Sequence, residues 1–239
     1  MSAVLDIVRW FTDPAHWYGA GGIPNRTLEH VELCVLATLA AAIFAIPLGV
    51  ILGHSGRGGI AAVSVVNIGR AIPSFAIVAL SLPLSIALGL GLGFWPTFVA
   101  LFLLALPPMF TNAYPAVRNV DAEVTEAARG MGMRPGQVLA RVELPHASPV
   151  ILASARVSAV QVVATAPLGA LVGRGGLGRF IVDGFAQRDL AQVAGGAILV
   201  AAVAVAAELA FAALERLLVP EGIRRLTHAE AAYLVSRPV

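Results

Sequence analysis

The chain has 239 residues, of which 58% are hydrophobic and 13% charged, with a net charge of +2. A soluble domain carries ~25% charged residues, so this composition, with a mean hydropathy of +0.84, excludes an ordinary water-exposed globule. It also excludes an intrachain disulfide, because Cys34 is the single cysteine, and in so apolar a chain a small basic excess reports membrane topology rather than nucleic-acid binding.

The apolar residues fall in blocks of about 20 or more, the length that crosses a bilayer as helix. A soluble Ala-rich bundle would need polar stripes that these blocks lack. The sequence therefore predicts an all-α polytopic membrane protein. Residues 1–27 form an external or interfacial lead-in. Asp6 and Arg9 interrupt its apolar run, which is not the pattern of a signal peptide. Ile7, Val8, Trp10, Phe11 and Trp17 suit a short helix lying at the membrane surface, where Trp is favoured.

The membrane domain, 28–219, then divides into about five spans. They run over Leu28–Leu52, Gly59–Leu82 interrupted by Pro73, Trp95–Val117 with Pro107-Pro108 inside, Pro149–Val172 and Leu190–Leu218. A six-span alternative splits the region from Gly59 to Gly93 in two. The last element is a polar tail, 220–239.

Charge decides between the two counts. Short Arg-rich segments stay in the cytoplasm. Arg57 follows the first span. Arg118, Arg129, Arg134 and Arg141 follow the third, and Arg216, Arg224, Arg225 and Arg237 lie at or after the last. Five spans put all three groups on one side, with the N-terminus outside and the C-terminus cytoplasmic. The loop after span four opposes this reading, since Arg174, Arg179 and Arg188 must then lie outside.

Residues 121–145 are the compact charged exception in an oily chain. Asp121 can cap a helix from Ala122, with Glu123 and Glu126 in its early turns. Gly130 and Gly132 end it. Pro135 suits the first turn of a second helix running to about Glu143, which Arg134 caps poorly. Pro145 and Pro149 then predict a break before span four. The product is a cytoplasmic helix–turn–helix knob with apolar Met131, Met133, Val138 and Leu139 beside Arg129, Arg134 and Arg141.

Its spacing carries a resemblance. Glu126-Ala127-Ala128, three residues, Gly132, nine residues, Val142, one residue and Leu144-Pro145 resemble the EAA signature of ABC-importer permeases, with Val142 in the place of Ile. The likeness extends through Asn67 to Ser74 and through the LVGRGGLG of Leu171–Gly178. It is closest in wording to permeases for glycine betaine, choline and carnitine, and then to methionine importer permeases, which have five spans and an outward N-terminus. The resemblance implies that Glu126, Ala127, Ala128, Gly132, Val142, Leu144 and Pro145 form an ATPase-coupling segment. It implies two ATPase subunits that bind ATP and Mg, a second permease (identical or paralogous), an external substrate-binding protein, and a location in the inner membrane of a prokaryote. The chain itself would be a transport subunit and not an enzyme, with no cofactor or metal of its own.

Polar residues inside spans are candidates for the pathway. Arg70 lies deep in span two and Glu208 in span five, where charge is costly and faces a cavity or a partner. Arg70 could serve as a gate or an interface element between permease subunits, bond to backbone carbonyls, pair with Glu208, or snorkel to the surface. Asn67, Ser74, Ser158, Gln161 and Thr165 could line the same path or simply join helices. Gly173–Gly178 fits G-x-G-x-x-G, but a dinucleotide site needs a preceding strand, and here a membrane helix precedes. The five His residues are scattered, with no metal-binding pair. A carrier or membrane enzyme working without ATP would need paired intramembrane acids, and Glu208 is the one deep carboxylate in these spans.

Overall fold

A computed structural model describes residues 2–219 and Gly222; the predicted tail, 220–239, otherwise lies outside the described residues. Ten α-helices follow in order: α1 (Ser2–Thr12), α2 (Ile23–Ser55), α3 (Gly59–Gly69), α4 (Ser74–Ala87), α5 (Phe94–Arg118), α6 (Ala122–Gly130), α7 (Pro135–Val138), α8 (Leu144–Thr165), α9 (Gly178–Gln187) and α10 (Leu190–Leu218). There is no strand among the described residues.

Helices α2, α5 and α10 and the continuous rod Pro135–Val172 are each long and apolar enough to cross a membrane. Helices α3 and α4 pass that test only together, and they meet at 82°. Alone, a 14-residue helix spans only ~21 Å. The pair nevertheless travels the full length of its neighbour α5. At one end Gly59 lies against the Tyr114 ring near the close of α5; at the other, the Ser81 hydroxyl donates to the carbonyl of Pro96 near its start, at 3.2 Å. Counted as one broken span, the pair brings the candidate spans among the described residues from four to five.

The core lies between α2, α5 and α8, where Leu33, Ala37, Ala41, Leu101, Ala105, Met109, Phe110 and Val162 are buried together. Helices in lipid approach through small residues, and α2 meets α5 in this way at Gly49 and Gly53. A Cβ on Gly53 would sit 2.7 Å from the Tyr114 carbonyl and 2.9 Å from the Val117 side chain. Gly53→Leu is therefore expected to overpack the contact by about 1–3 kcal/mol, read as a lower unfolding temperature of the detergent-solubilised protein. By contrast, α10 shows most of its surface and is buried chiefly at Gly195 and Gly196, where α1 and α9 lie across it. Trp10 of α1 packs edge-on to Phe180 of α9 at 5.3 Å and covers Gly195.

Pro107 and Pro108 do not stop α5. Thr111 and Asn112 side chains donate to the Pro107 and Pro108 carbonyls, both at 2.7 Å, and the helix runs on to Arg118. The expected break at Pro145 and Pro149 does not occur either. A π turn over Leu139–Glu143 carries the chain straight from α7 into α8, its Leu144 N–H reaching back to Leu139 O. That wider turn leaves room for a proline without a donor. One turn later the Ser148 hydroxyl donates to Pro145 O at 2.8 Å, replacing the N–H that Pro149 lacks.

Candidate functional site

Two groups of the predicted residues lie in distinct places. The first is at the end of the bundle where α2 and α5 close. Asp121 caps α6 by accepting from the Glu123 N–H at 2.8 Å. Gly132, at φ +86°, makes the turn, and Met133 N–H returns to Ala128 O at 3.2 Å. The weak cap at Arg134 is rescued by Gln137, whose side-chain oxygen accepts the Arg134 N–H at 2.8 Å, the reciprocal half of a capping box. On α6 the signature residues divide by face. Glu126 and Ala127 are exposed, as is Gly132 in the turn that follows, whereas Ala128 is buried at 3%, and so is Val138 of α7 at 0%. Val142, Leu144 and Pro145 are half-buried at the root of the α8 rod. Together they form a rigid knob with a polar, Met-tipped outer surface; Met131 is 75% exposed.

Behind the knob is a polar cleft of about 190 Å³. It is bordered by His54, Arg118, Thr125, Glu126, Arg129 and Glu143. Glu143 is buried, and His54 Nδ1 donates to its Oε2 at 2.6 Å.

The second group lies at the break between α3 and α4. Arg70, Ser74 and Gln161 line one cavity of about 70 Å³ with Ile72, Ile77, Leu103, Leu104 and Pro107. Pro107 and Pro108 supply no N–H to the Leu103 and Leu104 carbonyls, so guanidinium, amide, hydroxyl and donor-poor carbonyls converge there. Arg70 makes no ion pair among the described residues. The broken backbone from Arg70 to Pro73 is exposed on this single chain. Irregular backbone at membrane depth persists only against protein or a water-filled cavity, so this face does not meet lipid.

The remaining candidates are elsewhere. Asn67 is exposed on the last turn of α3 and does not line the cavity. Ser158 is fully buried and donates to Ala105 O at 3.2 Å, joining α8 to α5. Thr165 is half-buried where α8 tightens into a 3-10 turn, Ala166–Val172. Glu208 does not pair with Arg70. Its partner is Arg156 of α8, which also approaches Glu215 at 3.8 Å. Arg156 was legible as the one charge within the predicted span four, yet the deep charges taken from the sequence were Arg70 and Glu208 alone.

At the opposite end, the glycine turn after α8 wraps an acidic side chain. Glu29 accepts from Gly176 N–H at 2.7 Å and from Arg26 at 2.9 Å, and a Cβ on Gly175 would run into its carboxylate. The arginines that opposed the five-span topology are mostly matched here. Arg174 lies 3.9 Å from Glu32 and over the Phe94 ring, and Arg179 meets Asp183 at 2.7 Å. At the knob end Arg57, Arg118, Arg129, Arg134 and Arg141 make no ion pair among the described residues.

Comparison with known proteins gives a consistent result. Residues 45–221 match the family model described as binding-protein-dependent transport system inner membrane component. The choline transport system permease protein of Bacillus subtilis is 35% identical over 86% of this chain and 93% of its own length. The carnitine transport permease protein of Listeria monocytogenes is 36% identical over 91% and 95%. An osmoprotectant import permease protein of Salmonella typhimurium is 30% identical over 92% and 100%. Among solved structures, a chain of the MetNI methionine ABC transporter in an inward-facing conformation superposes with a TM-score of 0.71 at 22% identity. It covers 87% of this chain and 100% of that one.

Proposed function

Because the chain belongs to the family of binding-protein-dependent transport system inner membrane components, and is thus a multi-pass transport subunit, we propose that it is the permease of an ATP-driven importer for a quaternary-ammonium osmoprotectant of the glycine betaine, choline and carnitine class. The observation that carries the substrate is the relationship to permeases of that class along nearly the whole chain. The likeness to the methionine transporter supports the fold alone.

In this reading the exposed knob, Glu126 to Gly132, seats on an ATPase subunit. Two ATPases bind ATP and Mg, and their closure drives two permeases between inward- and outward-open states, a rigid-body switch. The second permease covers the exposed α3–α4 break, which cannot face lipid. An external binding protein delivers substrate to the opposite end. The unpaired arginines at the knob end support its placement in the cytoplasm and the N-terminus outside.

The test is ATPase activity of the reconstituted assembly with its binding protein presented with glycine betaine, choline, carnitine or methionine. Stimulation by a quaternary amine is the expected result. Stimulation by methionine alone would keep the importer and discard the substrate class. Absence of any associated ATPase would overturn the reading.

A further inference from the structure

Glu143 occupies the free position between Val142 and Leu144-Pro145, so the signature leaves it unexplained. It is nevertheless buried, within a π turn, and held by a side chain 89 positions away in sequence. We propose that the His54–Glu143 pair is a positioning joint that makes α2 follow the coupling segment during each ATP-driven cycle. This rests on the importer reading above.

Three routes lead from the knob into the membrane. Movement reaches α8 through the continuous helix, and α5 through the short link Asn119–Asp121. Helix α2 has no such covalent route. It meets the segment through side chains only, first in an apolar cluster in which Val50 joins Ala147 and Ile151, with Leu139 and Leu144 packed against them. Apolar burial is non-directional and tolerates sliding. A short hydrogen bond onto a buried carboxylate fixes both distance and direction. At 2.6 Å, His54 supplies that constraint at the last turn of α2.

The far ends of the same two helices are also tied. His30 Nε2 of α2 donates to Val163 O of α8 at 3.1 Å. Two antiparallel struts pinned at both ends move as a frame. Close packing at Gly49 and Gly53 adds α5 to that frame. The groups facing the joint across the cleft are Arg118, Glu126 and Arg129, so the pair sits directly behind the signature glutamate.

The experiment is a double-mutant cycle in proteoliposomes holding the whole assembly, scored as glycine betaine imported per ATP hydrolysed. His54→Ala and Glu143→Ala are each expected to lower that ratio about fivefold or more, and the double variant is expected to be no worse than either single one. His54→Asn, which keeps a nitrogen donor near the Nδ1 position, is expected to restore most of the ratio. ATPase subunits should co-purify with every variant. Single variants that keep the wild-type ratio, losses that multiply in the double variant, or loss of the ATPase subunits would each overturn the joint. A wild-type assembly that itself imports nothing would instead bring down the importer reading, and the joint with it.

Discussion

Replacing Glu126 with Lys is expected to strip the ATPase subunits from the purified permease while leaving the permease in the membrane. Glu126 is exposed on α6, at the rim of the polar cleft that it shares with Arg118 and Arg129. Lys has nearly the helix propensity of Glu, and the Asp121 cap and the Met133–Ala128 backbone bond are untouched, so the knob itself should persist. What changes is one charge on the surface proposed to dock an ATPase, at the rim of the cleft beside Arg118 and Arg129. Removing one partner of a charge pair in an interface costs about 2–5 kcal/mol, and reversal adds repulsion. Co-purification should therefore fall by a factor of about 30 or more. Wild-type co-purification and transport in the Glu126→Lys protein would remove Glu126 from the docking surface.

Arg70→Ala is expected to cut transport by about tenfold or more, the effect of ~1.4 kcal/mol, with the amount of protein in the membrane unchanged. The guanidinium stands at the break of a span, beside Ser74, Gln161 and the Leu103 and Leu104 residues, and no acid neutralises it among the described residues. A cation placed there by a structural demand would show the opposite pattern, with protein lost from the membrane and normal transport by what remains. Uptake per permease molecule, measured against quantitative immunodetection, separates the two.

The long elements were legible because lipid enforces a simple rule. Every backbone group in the membrane must be satisfied internally, and apolar length then defines the helix. Leu190–Leu218 emerges with the predicted ends, and Pro73 marks the end of the first half of the broken span. Prolines misled where side chains could replace the missing donor. Ser148 and the π turn make Leu139–Val172 continuous, and nothing in the residues LARVE announces a π turn. Gln137 three positions after Arg134 was a readable cap signal. Helix α9 was hidden in what read as the loop after span four, although Phe180, Gly184 and the Arg179–Asp183 pair are spaced as one helical face. The partners of charges were the least accessible. Arg156–Glu208 and His54–Glu143 join residues 52 and 89 positions apart, and only the packing of antiparallel helices brings them together. Within residues 121–145, spacing marked the two short helices and the turn, but the exposure of Glu126 and Ala127 and the burial of Ala128 follow from the three-dimensional packing of α6.

The uninterrupted rod from Pro135 to Val172 has 38 residues, roughly 55–60 Å at helical rise. In the proposed importer it begins behind the knob that would seat on the ATPase and ends at the glycines that wrap Glu29. A continuous helical path of this kind couples the preferences of its two ends. A binding protein seated at one end and ATPases closed at the other become ligands of the same body. Linkage then requires reciprocity: the factor by which ATP-bound closure changes affinity for the binding protein is the factor by which the binding protein changes affinity for closure.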